Sequence, residues 1–237
     1  MMVTAYDATF AQLIDEAGVD IILVGDSLGM LVQGHDSTVP VTLEAMIYHC
    51  QAVRRHTKQA LVVADMPFMT ACTPGEAAQH ATRLMQEGQA QAIKLEGMDA
   101  TRIAIVEQLT QAGIPVMGHV GLLPQHVHQL GGFRQQGKSS QEAEYILDAA
   151  RKLEVAGAFA LVVEAVPDAL AGEITNALSI PTIGIAAGDQ CKGQVLVCYD
   201  LLGLNKNLPA FVKPYANFHE QGCLAVREFC RQTRSGN

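Results

Sequence analysis

Eight short runs of apolar and β-branched residues recur along the chain, and each is followed by a segment with the spacing of a helix. The runs begin near residues 2, 20, 60, 91, 115, 159, 181 and 194. They are almost continuously apolar, as expected for parallel strands covered on both faces, and such strands need crossover helices between them. Eight strands in 237 residues favour an α/β fold with a single (β/α)8 (TIM) barrel over residues 1–237, with a doubly wound sheet as the alternative.

Two local signals support the predicted helices. One helix places its apolar residues on a single face at 3.6-residue spacing, and these residues are Leu43, Met46, Ile47, Cys50 and Val53. Thr73 and Ser139 each stand three residues before a Glu, which is the spacing of a capping box. The helices that they begin are predicted to end at Gly88 and Gly157.

Composition narrows the classes of partner. The chain has 16 Lys and Arg against 24 Asp and Glu, a net charge of −8, and its basic residues are scattered, which argues against nucleic acid. Only 17% of residues are charged and 49% are hydrophobic, so extra burial between subunits, a homo-oligomer, is expected. Neither an apolar run of membrane-spanning length nor a leader-like N-terminus is evident, which predicts a cytoplasmic protein without a membrane partner.

Polar residues stand where the predicted strands end. In a barrel of this kind the active site lies at the carboxyl ends of the strands. Seven candidates occupy this rim, namely Asp7, Asp26, Asp65, Glu96, His119, Glu164 and Asp200. Asp7 and Asp200 are explained equally well as helix caps.

Three of these carboxylates end neighbouring strands. Asp26, Asp65 and Glu96 follow strands two, three and four, so they are expected to converge on one sector of the rim. Oxygen ligands without nearby Cys or His favour a hard cation, Mg²⁺ first. Lys94 lies two residues before Glu96, on the same side of the strand, where it would bind a substrate carboxylate or else form a structural ion pair.

Other rim residues suggest further roles. Glu164 follows the apolar run of strand six, where a raised pKa would suit a general base; the alternative is a salt-bridged carboxylate. A tight turn at 25–29 contains Ser27, whose hydroxyl can meet an anionic ligand. The Gly-rich segment 184–188 is similar to barrel phosphate loops, and the segment from Gly121 to Lys138 has little helical period and is a candidate lid.

The order of the motifs resembles one family. Blocks along nearly the whole chain carry this resemblance to ketopantoate hydroxymethyltransferases, and they read TAYD, LVGDSLGM, QGHDST, ADMPF, IKLEG, GHVGLLPQ, VVEAVP and GQVLV. The resemblance implies a (β/α)8 barrel of the phosphoenolpyruvate mutase/isocitrate lyase group. It also implies large oligomeric rings, such as decamers, and transfer of a one-carbon unit from 5,10-methylenetetrahydrofolate to 3-methyl-2-oxobutanoate on the route to pantothenate.

The resemblance also implies roles for individual residues. Asp26, Asp65 and Glu96 would surround Mg²⁺ directly or through water, and the metal would stabilise an enolate. The 2-oxo acid would be bound by Ser27, Asp65 and Lys94, with Asp26 bordering it. Glu164 would be the base that removes the C3 proton.

Departures from the family pattern leave two other readings open. One departure is a short segment before TAYD, which is expected to affect barrel closure or a subunit contact. The others are four residues that differ from those usual in the family, namely Met98, Ala186, Lys192 and Tyr199. One alternative is a folate-independent lyase or mutase acting on a 2-oxo acid, although its relatives carry a lid Cys and 121–138 contains none. The other is a barrel that has lost catalysis and serves in binding.

Overall fold

A computed structural model describes residues 1–236 and contains a closed barrel of parallel strands arranged in chain order. The barrel predicted from the eight apolar runs is therefore confirmed. The strands are β1 (Met2–Thr4), β2 (Ile21–Val24), β3 (Leu61–Asp65), β4 (Ala92–Glu96), β5 (Val116–Gly121), β6 (Ala160–Glu164), β7 (Thr182–Ile185) and β8 (Gly193–Leu196).

Helices follow every strand except β7, from which the chain passes to β8 without the helix that the sequence pattern predicted. They are α1 (Ala8–Glu16), α2 (Leu28–Leu31), α3 (Leu43–Arg54), α4 (Pro74–Gln86), α5 (Ala100–Gln111), α6 (Val127–Leu130), α7 (Ser140–Val155), α8 (Asp168–Ala177), α9 (Cys198–Leu201) and α10 (Phe218–Ser235). None of the helices formed by residues 1–236 is long and apolar enough to cross a membrane.

The chain divides into two compact units, one covering Met1–Val195 and the other beginning at Leu196. The first contains β1 to β7, all of β8 except its last residue, the helices up to α8 and the candidate site. The second contains α9 and α10. A single catalytic domain covering 1–237 stays a prediction.

The helix signals are confirmed in detail. The five apolar residues predicted for one face of α3 are the buried residues of that helix. Thr73 and Ser139 both form complete capping boxes, with Glu76 and Glu142 as the reciprocal partners. Each helix ends two residues before the glycine predicted to stop it, at Gln86 and Val155.

The strands explain why their sequences are apolar throughout. One set of side chains fills the barrel interior, and this set includes Met2, Leu23, Val63, Ala92, Met117, Ala160, Val162, Ile183 and Val195. Successive side chains of a strand point to opposite faces, so Ile93 and Leu95 lie on the other face of β4 from Ala92. All three are buried. Lys94 and Glu96 share the interior face with Ala92 and stand at the carboxyl end of the strand.

Asp15 connects α1 to the chain that enters β3. Its carboxylate accepts backbone N–H groups from Lys58, Gln59 and Ala60 at 2.9, 3.0 and 2.8 Å. Burial acts to raise the pKa of Asp15, but these hydrogen bonds and the charge of Lys58 outweigh it, and the pKa lies below its ordinary value. The ionised form is therefore favoured in the folded state, and its contribution to stability is present above the ordinary pKa and lost as the pH falls.

Asp15→Asn is expected to lower the free energy of unfolding by about 2 kcal/mol at pH 7, because an amide cannot accept all three N–H groups. The difference from the unmutated protein should narrow as the pH falls toward 4, as measured by urea unfolding at several pH values. Asp148→Asn, at an exposed i,i+4 ion pair with Lys152, is the matched control and should change stability little. A difference in the free energy of unfolding between Asp15→Asn and the unmutated protein that does not vary with pH would contradict this account.

Ala186 adopts a left-handed backbone conformation, with φ of 52°. That conformation costs a residue with a Cβ roughly 1–2 kcal/mol, while glycine adopts it freely. Ala186→Gly is therefore expected to raise the free energy of unfolding by up to about 1 kcal/mol. Ala187→Gly is the control, because Ala187 is buried and is not left-handed, and it should destabilise. If urea unfolding shows that Ala186→Gly and Ala187→Gly destabilise the protein equally, the backbone at Ala186 is not strained.

Candidate active site

The carboxyl ends of β2, β3 and β4 bring four charged side chains together. Lys94 Nζ lies 2.8 Å from Asp65 Oδ1 and 3.7 Å from Glu96 Oε1. The backbone N–H of Asp26 donates to Asp65 Oδ2 at 3.1 Å. All four residues are buried. The structure thus places Asp26, Asp65, Lys94 and Glu96 in one cluster, hereafter the carboxylate cluster.

The carboxylate cluster combines three buried acidic side chains with one buried lysine. Burial raises the pKa of Asp26 well above its ordinary value, and the nearby carboxylates of Asp65 and Glu96 add to the rise. Burial also raises the pKa of Glu96 to about 7, with Lys94 opposing and Asp65 adding to the change. The pKa of Lys94 is raised despite burial, because the carboxylates stabilise its ammonium. With no further cation these raised pKa values favour the protonated forms of Asp26 and Glu96, and a divalent cation would favour their ionised forms instead.

The donor chemistry of the cluster fits a hard divalent cation. Its acidic ligands offer only oxygen, which is what Mg²⁺ prefers. Within residues 1–236, however, no three His, Cys, Asp or Glu side chains are already grouped closely enough to hold an ion. Lys94 Nζ lies near both Asp65 and Glu96, so direct ligation by all three carboxylates requires side-chain movement or bridging water.

Glu164 ends β6 and faces a histidine of the neighbouring strand. Its Oε2 lies 3.3 Å from His119 Nε2, and 18% of its side chain is exposed. Burial raises the pKa of Glu164 to about 7, although Lys94 opposes the rise. A carboxyl group with this pKa changes readily between acid and base near neutral pH.

His119 connects Glu164 to the carboxylate cluster. It lies inside β5 rather than at the strand's end, and its Nδ1 is 3.2 Å from Lys94 Nζ. Burial and the charge of Lys94 hold the pKa of His119 well below its ordinary value, so the ring is neutral. Because an ammonium only donates, Nδ1 accepts from it, and the ring proton is on Nε2, the atom nearest Glu164.

The glycine-rich turn after β2 positions Ser27. Leu28 N–H donates to the Gly25 carbonyl at 3.1 Å, which closes the predicted turn. A Cβ on Gly25 would lie 2.8 Å from Ser27 Oγ, so glycine allows the close approach. Ser27 Oγ and Tyr6 Oη are hydrogen-bonded at 2.8 Å. Tyr6, which the sequence analysis did not single out, thus holds the hydroxyl that was predicted to bind substrate.

The two uncertain rim acids have local partners. Asp7 caps α1 and accepts from Phe10 N–H at 2.9 Å, as the capping alternative predicts. In the second compact unit, Asp200 lies in α9 and accepts from Asn205 Nδ2 at 2.7 Å. Neither observation adds a ligand to the carboxylate cluster.

The segment after β5 contains a residue that sequence reasoning missed. A 3₁₀ turn (Pro124–His126) and α6 give this segment more helical structure than its pattern indicated. Gln125 Nε2 donates to Asp26 Oδ2 at 2.9 Å, and Gln125 N–H donates to Glu96 Oε2 at 3.2 Å. The one feature of the sequence that could have indicated Gln125 is its position as the last residue of the GHVGLLPQ block.

Gly121 ends β5 where the chain passes close to β6. Its φ is 93°, and a Cβ there would clash with the carbonyl oxygen of Glu164. The next residue, Leu122, donates its N–H to that same oxygen at 2.9 Å. The absence of a side chain at Gly121 therefore brings the start of the segment against the strand that carries Glu164.

Comparison with solved structures defines the class of the barrel. It is similar to a 2,3-dimethylmalate lyase, described as a PEP mutase/isocitrate lyase superfamily member, with a TM-score of 0.61 and 14% identity over 100% of this chain and 82% of that one. A phosphonopyruvate hydrolase complex with oxalate and Mg²⁺ gives a TM-score of 0.64 and 15% identity, covering 100% and 82%. The fold is thus a (β/α)8 barrel similar to that of a PEP mutase/isocitrate lyase superfamily member.

Sequence comparison identifies the family within that class. The model of the ketopantoate hydroxymethyltransferase family matches residues 1–237. The 3-methyl-2-oxobutanoate hydroxymethyltransferase of Rippkaea orientalis is 54% identical over 98% of this chain and 91% of its own length. That of Thermosynechococcus vestitus is 51% identical over 99% and 90%. The chain belongs to the ketopantoate hydroxymethyltransferase family.

Proposed function

We propose that this protein transfers a hydroxymethyl group from 5,10-methylenetetrahydrofolate to 3-methyl-2-oxobutanoate, giving 2-dehydropantoate for pantothenate biosynthesis. Family membership and the activity for which relatives about half identical to this chain are named support the proposal. The observation that carries it at the site is the buried carboxylate cluster, with a carboxyl group of raised pKa, Glu164, two strands beyond it on β6.

Asp26, Asp65 and Glu96 would hold Mg²⁺ in this proposal. When bound, the ion would stabilise negative charge that develops on the 2-oxo oxygen as the C3 proton leaves. The raised pKa of Asp26 and of Glu96 means that one ammonium does not fully stabilise their ionised forms, and a divalent ion would stabilise them. That incomplete stabilisation favours a metal role over a purely structural ion pair.

Binding of the 2-oxo acid would use the same edge of the barrel. The Lys94 ammonium would attract the substrate carboxylate, and Ser27 Oγ would donate to it. Asp26 and Asp65 would border the substrate on the side of β2 and β3. Because Tyr6 holds the Ser27 hydroxyl at 2.8 Å, little side-chain freedom remains to be lost on binding.

Glu164 would act as the general base. It removes the C3 proton, and the electron pair of the broken C–H bond forms the enolate. The C3 carbon would then form a bond to the methylene carbon of the folate. That carbon would lose its bonds to two folate nitrogens and gain the hydroxyl group of water, while the nitrogens take up the proton removed from C3 and the remaining proton of water, which releases tetrahydrofolate. The neutral ring of His119, with its proton on Nε2, is positioned to keep Glu164 oriented.

The direct test is a product assay. Purified protein is incubated with 3-methyl-2-oxobutanoate, methylenetetrahydrofolate and Mg²⁺, and mass spectrometry identifies the product. We expect 2-dehydropantoate, and no such product when folate is omitted. Cleavage of the 2-oxo acid without folate would support a lyase instead, and binding without turnover would support a barrel that has lost catalysis.

We also propose that the protein is a cytoplasmic homo-oligomer. All six cysteines are free thiols, in keeping with a reducing compartment. Large apolar side chains are exposed, among them Tyr48, Tyr145, Val155, Val226 and Phe229. Light scattering, which gives the mass in solution, is expected to show a multiple of 25.4 kDa, and the family resemblance leads us to expect a decamer-like species. A single 25.4 kDa species at micromolar concentration would refute this part of the proposal.

A further inference from the structure

Gln125 contacts the ends of three adjacent strands although it lies on the segment after β5. Its side-chain Nε2 donates to Asp26 Oδ2 and to the carbonyl oxygen of Met66, both at 2.9 Å. Its backbone N–H donates to Glu96 Oε2 at 3.2 Å. Met66 follows β3 directly, so a single residue links β2, β3 and β4 at the rim.

Each carboxylate of the cluster has one oxygen held by an N–H donor. Gln125 holds Asp26 Oδ2 and Glu96 Oε2, and the backbone N–H of Asp26 holds Asp65 Oδ2. The other oxygens of Asp65 and Glu96 face Lys94 Nζ at 2.8 and 3.7 Å. Gln125 therefore sets the orientation of two of the three carboxylates while leaving one oxygen of each for another partner.

The chemistry of the Gln125 side chain suits this position. The Met66 carbonyl oxygen only accepts hydrogen bonds, so the NH₂ end of the amide must face it, and the same NH₂ group donates to Asp26 Oδ2. A neutral donor orients a carboxylate without neutralising it. A lysine or arginine here would compete with a bound cation, and a glutamate would add to the repulsion in the cluster.

We propose that Gln125 is a positioning residue for the divalent cation, orienting Asp26 and Glu96 so that their remaining oxygens can bind the ion. The proposal rests on the function proposed above and deepens it. Outer-sphere partners of this kind orient metal ligands, and their loss weakens metal binding 10- to 100-fold in general. The segment 122–130 is also tied to the site through the same residue.

Gln125→Met is the decisive variant, because it keeps an unbranched side chain of similar length and removes both side-chain donors. Calorimetric titration with MgCl₂, in the absence of folate and oxo acid, is expected to show about 10- to 100-fold weaker binding than in the unmutated protein. Gln129→Met is the matched control, since Gln129 is exposed on the same segment. It should bind Mg²⁺ normally. Thermal unfolding without metal should be similar for all three proteins.

A second readout separates positioning from general damage. Turnover by Gln125→Met should require more Mg²⁺ but approach that of the unmutated protein at saturating Mg²⁺. If Gln125→Met does not fold, Gln125→Asn, which keeps the amide but retracts it by one methylene, should show the same weakened titration. Normal Mg²⁺ affinity in the folded variant would overturn the role of Gln125 alone. No Mg²⁺ binding by the unmutated protein would overturn both this role and the metal site proposed above.

Discussion

Glu164→Gln is expected to slow exchange of the C3 proton of 3-methyl-2-oxobutanoate into D₂O by at least ~10²-fold, because general-base catalysis typically contributes 10²- to 10⁴-fold. The amide keeps the size of the side chain but cannot take a proton. NMR of the oxo acid with Mg²⁺ and without folate follows this step alone. It separates proton removal from formation of the carbon–carbon bond.

Two controls distinguish loss of the base from a general effect of the substitution and from loss of substrate binding. Glu173→Gln, an exposed change of the same type on α8, should exchange at the unmutated rate. Glu164→Gln should still bind the oxo acid, as measured by calorimetry, because Glu164 stands outside the carboxylate cluster. If Glu164→Gln exchanges the C3 proton as fast as the unmutated protein, Glu164 is a structural carboxylate of the rim and not the base. Loss of oxo-acid binding would assign it to substrate binding instead of proton transfer.

Asp26→Asn and Glu96→Gln are each expected to reduce Mg²⁺ affinity by more than the 10- to 100-fold that outer-sphere changes cost. Each change removes a charged ligand and keeps the shape of the side chain. The same variants should be at least as stable as the unmutated protein without metal, because burial and repulsion raise the pKa of both carboxyl groups. Calorimetry and thermal unfolding measure the two effects separately.

The prediction is specific because Mg²⁺ affinity is expected to fall while stability without metal is expected to stay the same or rise. If either carboxylate had a purely structural role, its substitution would lower the stability of the protein and would not change its Mg²⁺ affinity. Asp148→Asn, at an exposed ion pair on α7, should change neither quantity appreciably. Unchanged Mg²⁺ affinity in both Asp26→Asn and Glu96→Gln would remove the metal-site assignment.

Much of this architecture is readable from local sequence. The barrel was predictable because parallel strands buried on both faces require apolar runs, and eight such runs recur along the chain. Asp26, Asp65 and Glu96 were expected together because neighbouring strand ends meet at one rim. The capping boxes at Thr73 and Ser139 were predictable because their partners are three residues away.

Contacts that depend on register or loop path were not predictable in this way. His119 pairs with Glu96 on one side and with Val162 on the other, and only this register brings its ring between Lys94 and Glu164. Gln125 reaches Asp26 across 99 positions of sequence through an irregular segment, and no periodicity encodes that path. Such contacts require the fold before they can be seen.

The boundaries of the segment after β5 have a consequence for protein engineering. At its start, Gly121 allows the chain to pass against the carbonyl oxygen of Glu164, and at its end Ser139 closes the capping box of α7. A loop transplanted from a related barrel should therefore be joined after Gly121 and before Ser139. Junctions placed inside either feature would disturb the barrel wall or the helix rather than exchange the loop alone.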